Sequence, residues 1–264
     1  MSSIKIKFYG TRGSYPSSGE KRRVFGGNTT CIVLSFGDKK IMLDTGSGAS
    51  EAIADLEKEK ELDLFISHLH LDHLSGIVSL IPAFSGRKLN IYGRPHSGVS
   101  VRDAIYRVMS EPIWPVSPDK FGCVEYFDLP KSMTIHGVEI DTMESNHPGG
   151  STLFRFTYGG KSVVTALDFG HLDGYAEKLA EFAKGCDVLI YDGAMDEKEF
   201  AVHSSWGHST AKAGAMIAKK CGCSLIITHH GPCADDAELI AAEKETRALY
   251  ENSVYAKDGM TVEI

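Results

Sequence analysis

Alternating apolar and polar positions in the first part of the chain predict short strands separated by turns. Strands are predicted over residues 4–9, 31–36 and 40–44, and the last two read as a hairpin. A charged helix is predicted over residues 49–61, with its apolar positions facing inward. The apolar run 62–66 that follows is typical of a buried strand, so the pattern changes from helix back to sheet directly before a cluster of histidines.

The rest of the chain repeats this rhythm of strands followed by helices. Further strands are predicted over residues 89–92, 124–129, 138–143, 152–158, 162–166, 188–191 and 225–228. Further helices are predicted over residues 74–81, 99–109, 175–182, 210–220 and 237–250. No linker or low-complexity stretch separates the halves. The pattern therefore predicts one α/β domain over residues 1–264, in which two mixed sheets pack face to face with helices on both outer faces.

Composition narrows the functional classes. The 264 residues include 42% hydrophobic residues, enough for one large core. The net charge of −7 disfavours a broad electrostatic contact with nucleic acid or an anionic membrane. No apolar run approaches about 18 residues and no signal peptide is recognised, so we expect a cytoplasmic protein outside the membrane.

The densest chemical signal is the segment His68-Leu-His70-Leu-Asp72-His73, directly after the strand predicted over residues 62–66. In an extended segment, His68 and His70 point to the same side and can reach one metal ion. Asp72 and His73 then turn toward a second ion. Three imidazoles and a carboxylate within six residues predict a zinc site.

This segment resembles the His-x-His-x-Asp-His signature of the metallo-β-lactamase fold superfamily. Asp44-Thr45-Gly46 is similar to the Asp-x-Gly element of that family, in which the aspartate holds loops rather than reacting. The resemblance implies an αββα sandwich. It also implies three later ligands, namely His147, Asp168 and His229, although His230 remains an alternative to His229.

The resemblance implies a dinuclear centre with two Zn²⁺ ions, or with Mn²⁺ or Fe²⁺ in their place. One ion is expected at His68, His70 and His147, and the other at Asp72, His73 and His229. Asp168 is expected to bridge them. A metal-bridging hydroxide would then act as the nucleophile of a hydrolase.

Three further elements resemble the branch that contains ribonuclease Z and small cyclic-phosphate hydrolases. They are the loop Gly10-Thr11-Arg12-Gly13-Ser14, the Asn28-Thr29-Thr30 element, and the pair formed by Asp192 and His208. The resemblance implies catalytic roles for Asp72, His208 and Asp192, and substrate contacts for Arg12 and Asn28. The alternative for His208 is a purely structural role: Ser209 is a plausible helix N-cap, and a histidine directly before it can simply pack against its neighbours.

The expected substrate is a small anionic phosphodiester, cyclic or linear, rather than a long nucleic acid. Ile91-Tyr92-Gly93-Arg94-Pro95 resembles the Ile-Tyr-Gly-Pro element of that branch. In the tRNA-processing members a long flexible arm follows this element, and here only about 30 residues separate residues 92 and 124. Two alternatives remain open: a carboxyl-ester hydrolase such as a lactonase or thioesterase, and a non-catalytic metal-binding sensor. The sequence also leaves a homodimer open.

Overall fold

The computed structural model describes residues 3–172 and 174–264, which form two seven-stranded sheets and eight α-helices. From edge to edge, the first sheet contains Thr261–Glu263 (β14), Ile4–Gly10 (β1), Cys31–Phe36 (β2), Lys39–Leu43 (β3), Glu61–Phe65 (β4), Lys88–Gly93 (β5) and Val124–Asp128 (β6). The second contains Ser253–Tyr255 (β13), Ser224–Thr228 (β12), Val188–Asp192 (β11), Lys161–Ala166 (β10), Ser151–Tyr158 (β9), Val138–Ser145 (β8) and Ser132–Ile135 (β7).

The helices lie on the outer faces of the two sheets. They are Ala49–Asp55 (α1), Leu71–Leu74 (α2), Ile77–Ala83 (α3), Val101–Val108 (α4), Tyr175–Phe182 (α5), Glu197–His203 (α6), Ala211–Cys221 (α7) and Asp236–Leu249 (α8). Short 3₁₀ helices lie at Glu20–Arg22, Pro118–Phe121 and Ser204–Trp206.

Each sheet is antiparallel on one side and parallel on the other. In the first sheet β3, β4, β5 and β6 run parallel, and in the second β10, β11, β12 and β13 do so. Ligand sites of α/β folds lie beyond the carboxyl ends of parallel strands, where loops rather than side-chain packing fill the space. The loops after β3, β4, β10, β11 and β12 carry the chemically reactive residues described below.

Three buried apolar clusters define four layers. The central cluster lies between the sheets, where Phe65 stacks on Tyr92 with ring centroids 4.7 Å apart and meets Phe154 edge-to-face at 5.8 Å. A second cluster packs α1, α3 and α4 against the first sheet, and a third packs α5, α7 and α8 against the second. The predicted αββα sandwich is confirmed.

The helix predicted over residues 49–61 is shorter than expected. It ends at Asp55, because the Arg87 guanidinium donates to the carbonyls of Leu56, Glu57 and Glu59 at 2.8–3.0 Å and holds that segment in a turn. The charged residues of the segment suit a helix as well as an exposed turn. Distant cations decide between them, since Lys40 also donates to the carbonyl of Asp55 at 3.1 Å.

Among the strands and α-helices, β7, β13, β14, α2 and α6 were not predicted from the sequence. Strands β7, β13 and β14 have three or four residues each and lie at or near sheet edges, where little apolar alternation is needed. Helix α6 begins with a capping box in which Asp196 accepts from the backbone N–H of Glu199, and the Glu199 side chain accepts from the N–H of Asp196. That Asp-x-x-Glu spacing was a readable signal for this helix.

The segment between β5 and β6 is compact. It contains α4 and one 3₁₀ helix, and Val101, Ile105 and Met109 are buried in the outer core of the first sheet. The expectation that this segment forms no protruding arm therefore agrees with the structure. Within residues 3–172 and 174–264, no helix has the length and apolar character needed to cross a bilayer.

Candidate metal centre

The predicted ligand residues converge at the carboxyl ends of the parallel strands. Four of them, His68, His70, His147 and Asp168, have one ligand atom each within 4.8 Å of all the others. Nε2 of His147 lies 3.1 Å from Nδ1 of His70, and Nε2 of His68 lies 3.5 Å from Oδ2 of Asp168. His70 is the exposed member, so this group opens toward solvent on one side.

Asp72, His73 and His229 form a second, buried group. Nε2 of His73 lies 3.3 Å from Nε2 of His229, and Oδ2 of Asp72 lies 3.4 Å from the first nitrogen and 3.3 Å from the second. The ligand atoms of these three residues therefore surround one small volume.

Asp168 lies between the two groups. Its Oδ2 faces the first group, 3.6 Å from Nε2 of His147, whereas its Oδ1 lies 3.0 Å from Nε2 of His73 and 3.1 Å from Nε2 of His229. One carboxylate thus presents one oxygen to each set of nitrogens. This geometry is the one that the predicted bridging role requires.

Three residues at strand ends have left-handed backbone conformations. The φ angles are +56° at Asp44, +49° at Asp168 and +57° at His229. Such conformations are uncommon for residues other than glycine and cost about 1–3 kcal/mol each. Their occurrence at three strand ends around one site indicates that the surrounding structure maintains these side-chain directions.

A buried hydrogen-bond network fixes the histidine tautomers. Asp44 accepts from the backbone N–H of Ser67 at 2.7 Å, from the Ser67 hydroxyl at 2.7 Å, and from Nδ1–H of His73 at 2.8 Å. Because the Ser67 hydroxyl donates its hydrogen bond to Asp44, Ser67 Oγ can only accept from His68, whose Nδ1–H lies 3.1 Å away measured from the nitrogen. In the neutral rings, Nε2 of both histidines therefore keeps its lone pair, and this is the form that binds metal. The predicted structural role of Asp44 is confirmed.

His147 is oriented in the same way by the main chain. Its Nδ1–H donates to the carbonyl of Gly207 at 2.9 Å, so that its Nε2 lone pair points toward His70. The glycine lies at the start of the loop that carries His208, and it has a φ of +81°. The loop of His208 therefore also positions a candidate ligand of the first group.

The electrostatics of the site favour a bound cation. Burial alone would lower the pKa of His73, but Asp168, Asp72 and Asp44 outweigh it and raise that pKa well above its ordinary value. Burial would likewise raise the pKa of Asp72, but His73 and His229 hold it far below its usual range. The carboxylates thus favour positive charge among these buried side chains.

The donor set fits divalent metal ions of the zinc type. Nε2 of His68 and Oδ1 of Asp168 are buried and have no hydrogen-bond partner among the described residues. Unpaired buried polar atoms are costly, and facing lone pairs on imidazole nitrogens repel unless a cation lies between them. Five imidazoles with two carboxylates suit Zn²⁺ better than Mg²⁺ or Ca²⁺, which prefer oxygen ligands.

The structure separates His229 from its neighbour. Nε2–H of His230 donates to the carbonyl of Ala256 at 2.8 Å, and the ring stacks on Tyr255. Burial lowers the pKa of His230 to about 3, so it is a neutral core residue. Only His229 faces the second group, in agreement with the preferred register of the sequence analysis.

His208 and Asp192 lie side by side at the edge of the centre. Oδ2 of Asp192 accepts from Nδ1–H of His208 at 2.8 Å, and the carboxylate also accepts from the backbone N–H groups of Phe169 and Ala194. Burial would lower the pKa of His208, but Asp192, with Asp168 and Asp72, raises it to about 9. The shorter aspartate reaches the histidine without difficulty.

The suggested helix cap at Ser209 is wrong. Thr210 is the N-cap of α7, since its hydroxyl accepts from the N–H of Ala213, whereas Ser209 Oγ pairs with the Tyr191 hydroxyl at 2.7 Å. His208 is therefore not held in place by the helix start. Its one side-chain hydrogen bond among the described residues is with Asp192.

The substrate contact predicted for Arg12 is wrong. Arg12 is fully buried, and its guanidinium donates to the carbonyls of Gly26, Gly231 and Ala234 at 2.7–3.1 Å. Three loops that enclose the site are joined by these bonds. Two of its three guanidinium nitrogens form these bonds, and because the side chain has no exposed surface it does not reach a substrate.

Asn28 also has a structural partner. Its side-chain oxygen accepts from the Ser47 hydroxyl at 3.3 Å, and its backbone N–H donates to Asp258 at 2.9 Å. Among the described residues, its side chain forms no hydrogen bond with a member of the two ligand groups. The predicted contact with substrate therefore gains no support and stays a prediction.

Two residues of the glycine-rich loop contact the centre and were missed. The N–H of Ser14 donates to Oδ2 of Asp72 at 2.7 Å. Gly13 packs against the ring of His229, where an added Cβ would lie 2.4 Å from Cε1. The glycines of this loop indicated that its backbone packs closely against another part of the protein. They did not indicate that the neighbouring side chain would be that of His229.

Comparisons with known proteins agree with this geometry. The family model described as "Beta-lactamase superfamily domain" matches residues 39–230. Ribonuclease Z of Archaeoglobus fulgidus is 24% identical, over 99% of this chain and 98% of the relative. The alignment extends over 315 positions whereas this chain has 264 residues, so at least 51 positions of the relative have no counterpart here.

Solved structures share the fold over the whole chain. The metallo-beta-lactamase fold protein YhfI from Bacillus subtilis has a TM-score of 0.78 at 21% identity and covers 100% of both chains. A diphosphatase from the PhnP family has a TM-score of 0.73 at 17% identity, covering 99% of this chain and 97% of that chain. At these identities the likeness establishes the fold alone.

Proposed function

The chain belongs to the beta-lactamase superfamily, and we propose that it is a dinuclear zinc-dependent phosphodiesterase that acts on a small linear or cyclic phosphodiester. It is a metal-dependent hydrolase, as the ribonuclease Z relatives and the two ligand groups indicate. The single observation that carries the proposal is the position of Asp168, whose two oxygens face the two groups separately.

The proposed ligands divide as their geometry suggests. His68, His70 and His147 would hold one ion, Asp72, His73 and His229 would hold the other, and Asp168 would contact both. Two such ions supply a hydroxide nucleophile at neutral pH and polarise the phosphoryl oxygens. The chain itself contributes orientation, because Asp44 and Gly207 keep Nδ1–H of His73 and of His147 turned away from the centre.

His208 is the proposed proton donor to the leaving oxygen. Asp192 holds its Nδ1–H, which leaves Nε2 as the nitrogen available to a phosphodiester, and the side chain is 14% exposed. A leaving alkoxide needs a proton in the hydrolysis of a phosphodiester and of a carboxyl ester alike, so this role of His208 suits both reactions. What favours a phosphodiester is the resemblance of the Asp192–His208 pair to that of the phosphodiesterase branch.

A structured RNA is the second candidate, favoured by the name ribonuclease Z of the curated relatives. Two features weigh against it. The net charge is −7, and the segment between β5 and β6 is packed on the core rather than extended. A protein of this charge has no general attraction for a long polyanion.

The test is a hydrolysis assay on metal-depleted protein reconstituted with Zn²⁺ or Mn²⁺. The panel contains bis(p-nitrophenyl) phosphate, a cyclic nucleotide, p-nitrophenyl acetate and a precursor tRNA. We expect the small diesters to be cleaved only after reconstitution. Faster cleavage of the acetate than of the diesters would favour a carboxyl-ester hydrolase. Cleavage of the tRNA alone would favour an RNA-processing nuclease. Metal binding without turnover of any compound would favour a non-catalytic sensor.

A further inference from the structure

A cavity of about 350 Å³ adjoins the first ligand group. His68 and His70 form part of its wall, and α4 and the loop before it form the opposite side. Ligand pockets of proteins begin at about 300 Å³, and a closed cavity of about 150 Å³ accommodates benzene. The space is therefore sufficient for more than one ring.

The cavity begins directly at the candidate ligands. A Cβ placed on Gly149 would lie 3.9 Å from Nε2 of His70 and 3.9 Å from Oγ of Ser97, so this glycine stands between the ligand group and the cavity wall. His70 is also the exposed member of its group. A molecule whose phosphate lies at the ligand groups would therefore extend a substituent past His70 into the cavity.

The lining selects an apolar substituent. The wall away from the histidines consists mainly of Leu69, Leu71, Leu74, Val99, Ala104 and Val108. Away from the ligand groups its polar side chains are His96, Ser97 and the exposed Arg107, and Nε2–H of His96 already donates to the carbonyl of Ser67 at 3.1 Å. Ser97 and Arg107 are too few to pair all the donors and acceptors on the edge of a nucleobase, and the unpaired ones carry a cost that an aryl or alkyl group avoids.

We propose that this cavity binds the apolar substituent of the substrate, which makes aryl and branched-alkyl phosphodiesters the preferred substrate class. The inference rests on the proposed function, because it assumes that a phosphate lies at the ligand groups. Arg107, an exposed cation at the rim, disfavours a positively charged substituent. The cavity would thus decide specificity without taking part in the chemistry.

The test keeps the leaving group constant and varies the other substituent. Methyl, phenyl and thymidine 5′ esters of p-nitrophenyl phosphate are compared on the zinc-loaded protein. Burial of the ring predicts a kcat/KM for the phenyl ester about 10-fold or more above that for the methyl ester. Equal values for these two esters, or a preference for the thymidine ester, would overturn the proposal.

A variant that fills the cavity tests whether the preference for the phenyl ester arises there. Ala104→Leu adds three carbons to the wall, and we expect it to reduce the ratio of kcat/KM for the phenyl ester to that for the methyl ester to about 3-fold or less. Ala241→Leu, on the exposed side of α8, makes the same change elsewhere and should leave the preference intact. An unchanged preference in Ala104→Leu contradicts the assignment, and Val108→Phe serves if that variant does not fold.

A binding measurement separates failure of this inference from failure of the proposed function. Calorimetry compares phenylphosphonate with methylphosphonate on the zinc-loaded protein and requires no turnover. Tighter binding of phenylphosphonate by about 10-fold or more, lost in Ala104→Leu, supports the cavity even if no diester is cleaved. Equal affinity for the two phosphonates contradicts it, whatever the activity.

Discussion

Replacement of Asp44 by asparagine should weaken metal binding without unfolding the protein. The amide has nearly the same size, and asparagine tolerates the left-handed backbone at this position, where φ is +56°. Its oxygen can still accept from the N–H of Ser67. Its NH₂ group, however, would face Nδ1–H of His73, which now donates to the carboxylate at 2.8 Å.

The size of the effect follows from the proton on His73. To avoid two opposed donors, the ring must move its proton to Nε2, the nitrogen that lies 3.3 Å from Nε2 of His229. That change removes a lone pair from the second ligand group. Loss of such a supporting partner costs about 10- to 100-fold in metal affinity, which corresponds to about 1.4–2.7 kcal/mol.

The assay is a competition titration with a chromogenic zinc chelator, combined with thermal unfolding of the metal-free protein. Asp63→Asn is the matched control, since Asp63 is 1% exposed and accepts from Nε2–H of His136 at 2.8 Å, outside the two ligand groups. It should lose stability and keep its metal affinity. Wild-type zinc affinity in Asp44→Asn would show that Asp44 does not control the proton on His73. An equal loss of zinc affinity in Asp63→Asn would show that the effect is a general one of instability.

Three further predictions test other parts of the structure. His208→Gln should lower kcat by about 10²–10⁴-fold with the metal content unchanged; metal analysis and steady-state kinetics check this, and loss of metal would make the residue structural. Gly13→Ala should displace His229 and reduce the zinc stoichiometry measured by elemental analysis, whereas the equally crowded Gly214→Ala in α7 should cost stability alone; retention of both ions in the first variant contradicts the placement. Burial raises the pKa of Asp258 from 3.8 to about 6, so the folded state disfavours its charge, and the free energy of unfolding should fall by up to about 3 kcal/mol as pH rises from about 4 to about 6. Urea unfolding across this range checks it, and Asp258→Asn should lack that decrease; an identical pH profile in the variant contradicts the assignment.

The layer order and the ligand residues were predictable from the sequence because both are local signals. Short apolar runs indicated the central strands, and the segment 68–73 places four chemically distinctive residues within one strand end and one helical turn. The later candidate ligands His147, Asp168 and His229 each follow a strand, as the resemblance implied. Their convergence follows from the parallel ends of two facing sheets.

The errors concern residues whose role is decided by distant parts of the chain. From the sequence, Arg12 is expected to be an exposed cation in a loop. Its guanidinium instead donates to the carbonyls of Gly231 and Ala234, more than 200 residues away. The edge strand β14 pairs with β1 through backbone hydrogen bonds, so its side chains show no pattern that would identify it as a strand. Long-range pairing of this kind leaves no periodic pattern in the residues concerned.

The most direct test of the dinuclear centre is an anomalous difference map at the zinc absorption edge, from crystals of the zinc-loaded protein. We expect two peaks flanking Asp168, one contacted by His68, His70 and His147 and the other by Asp72, His73 and His229. A single peak, or a second ion held by His230 in place of His229, would contradict it.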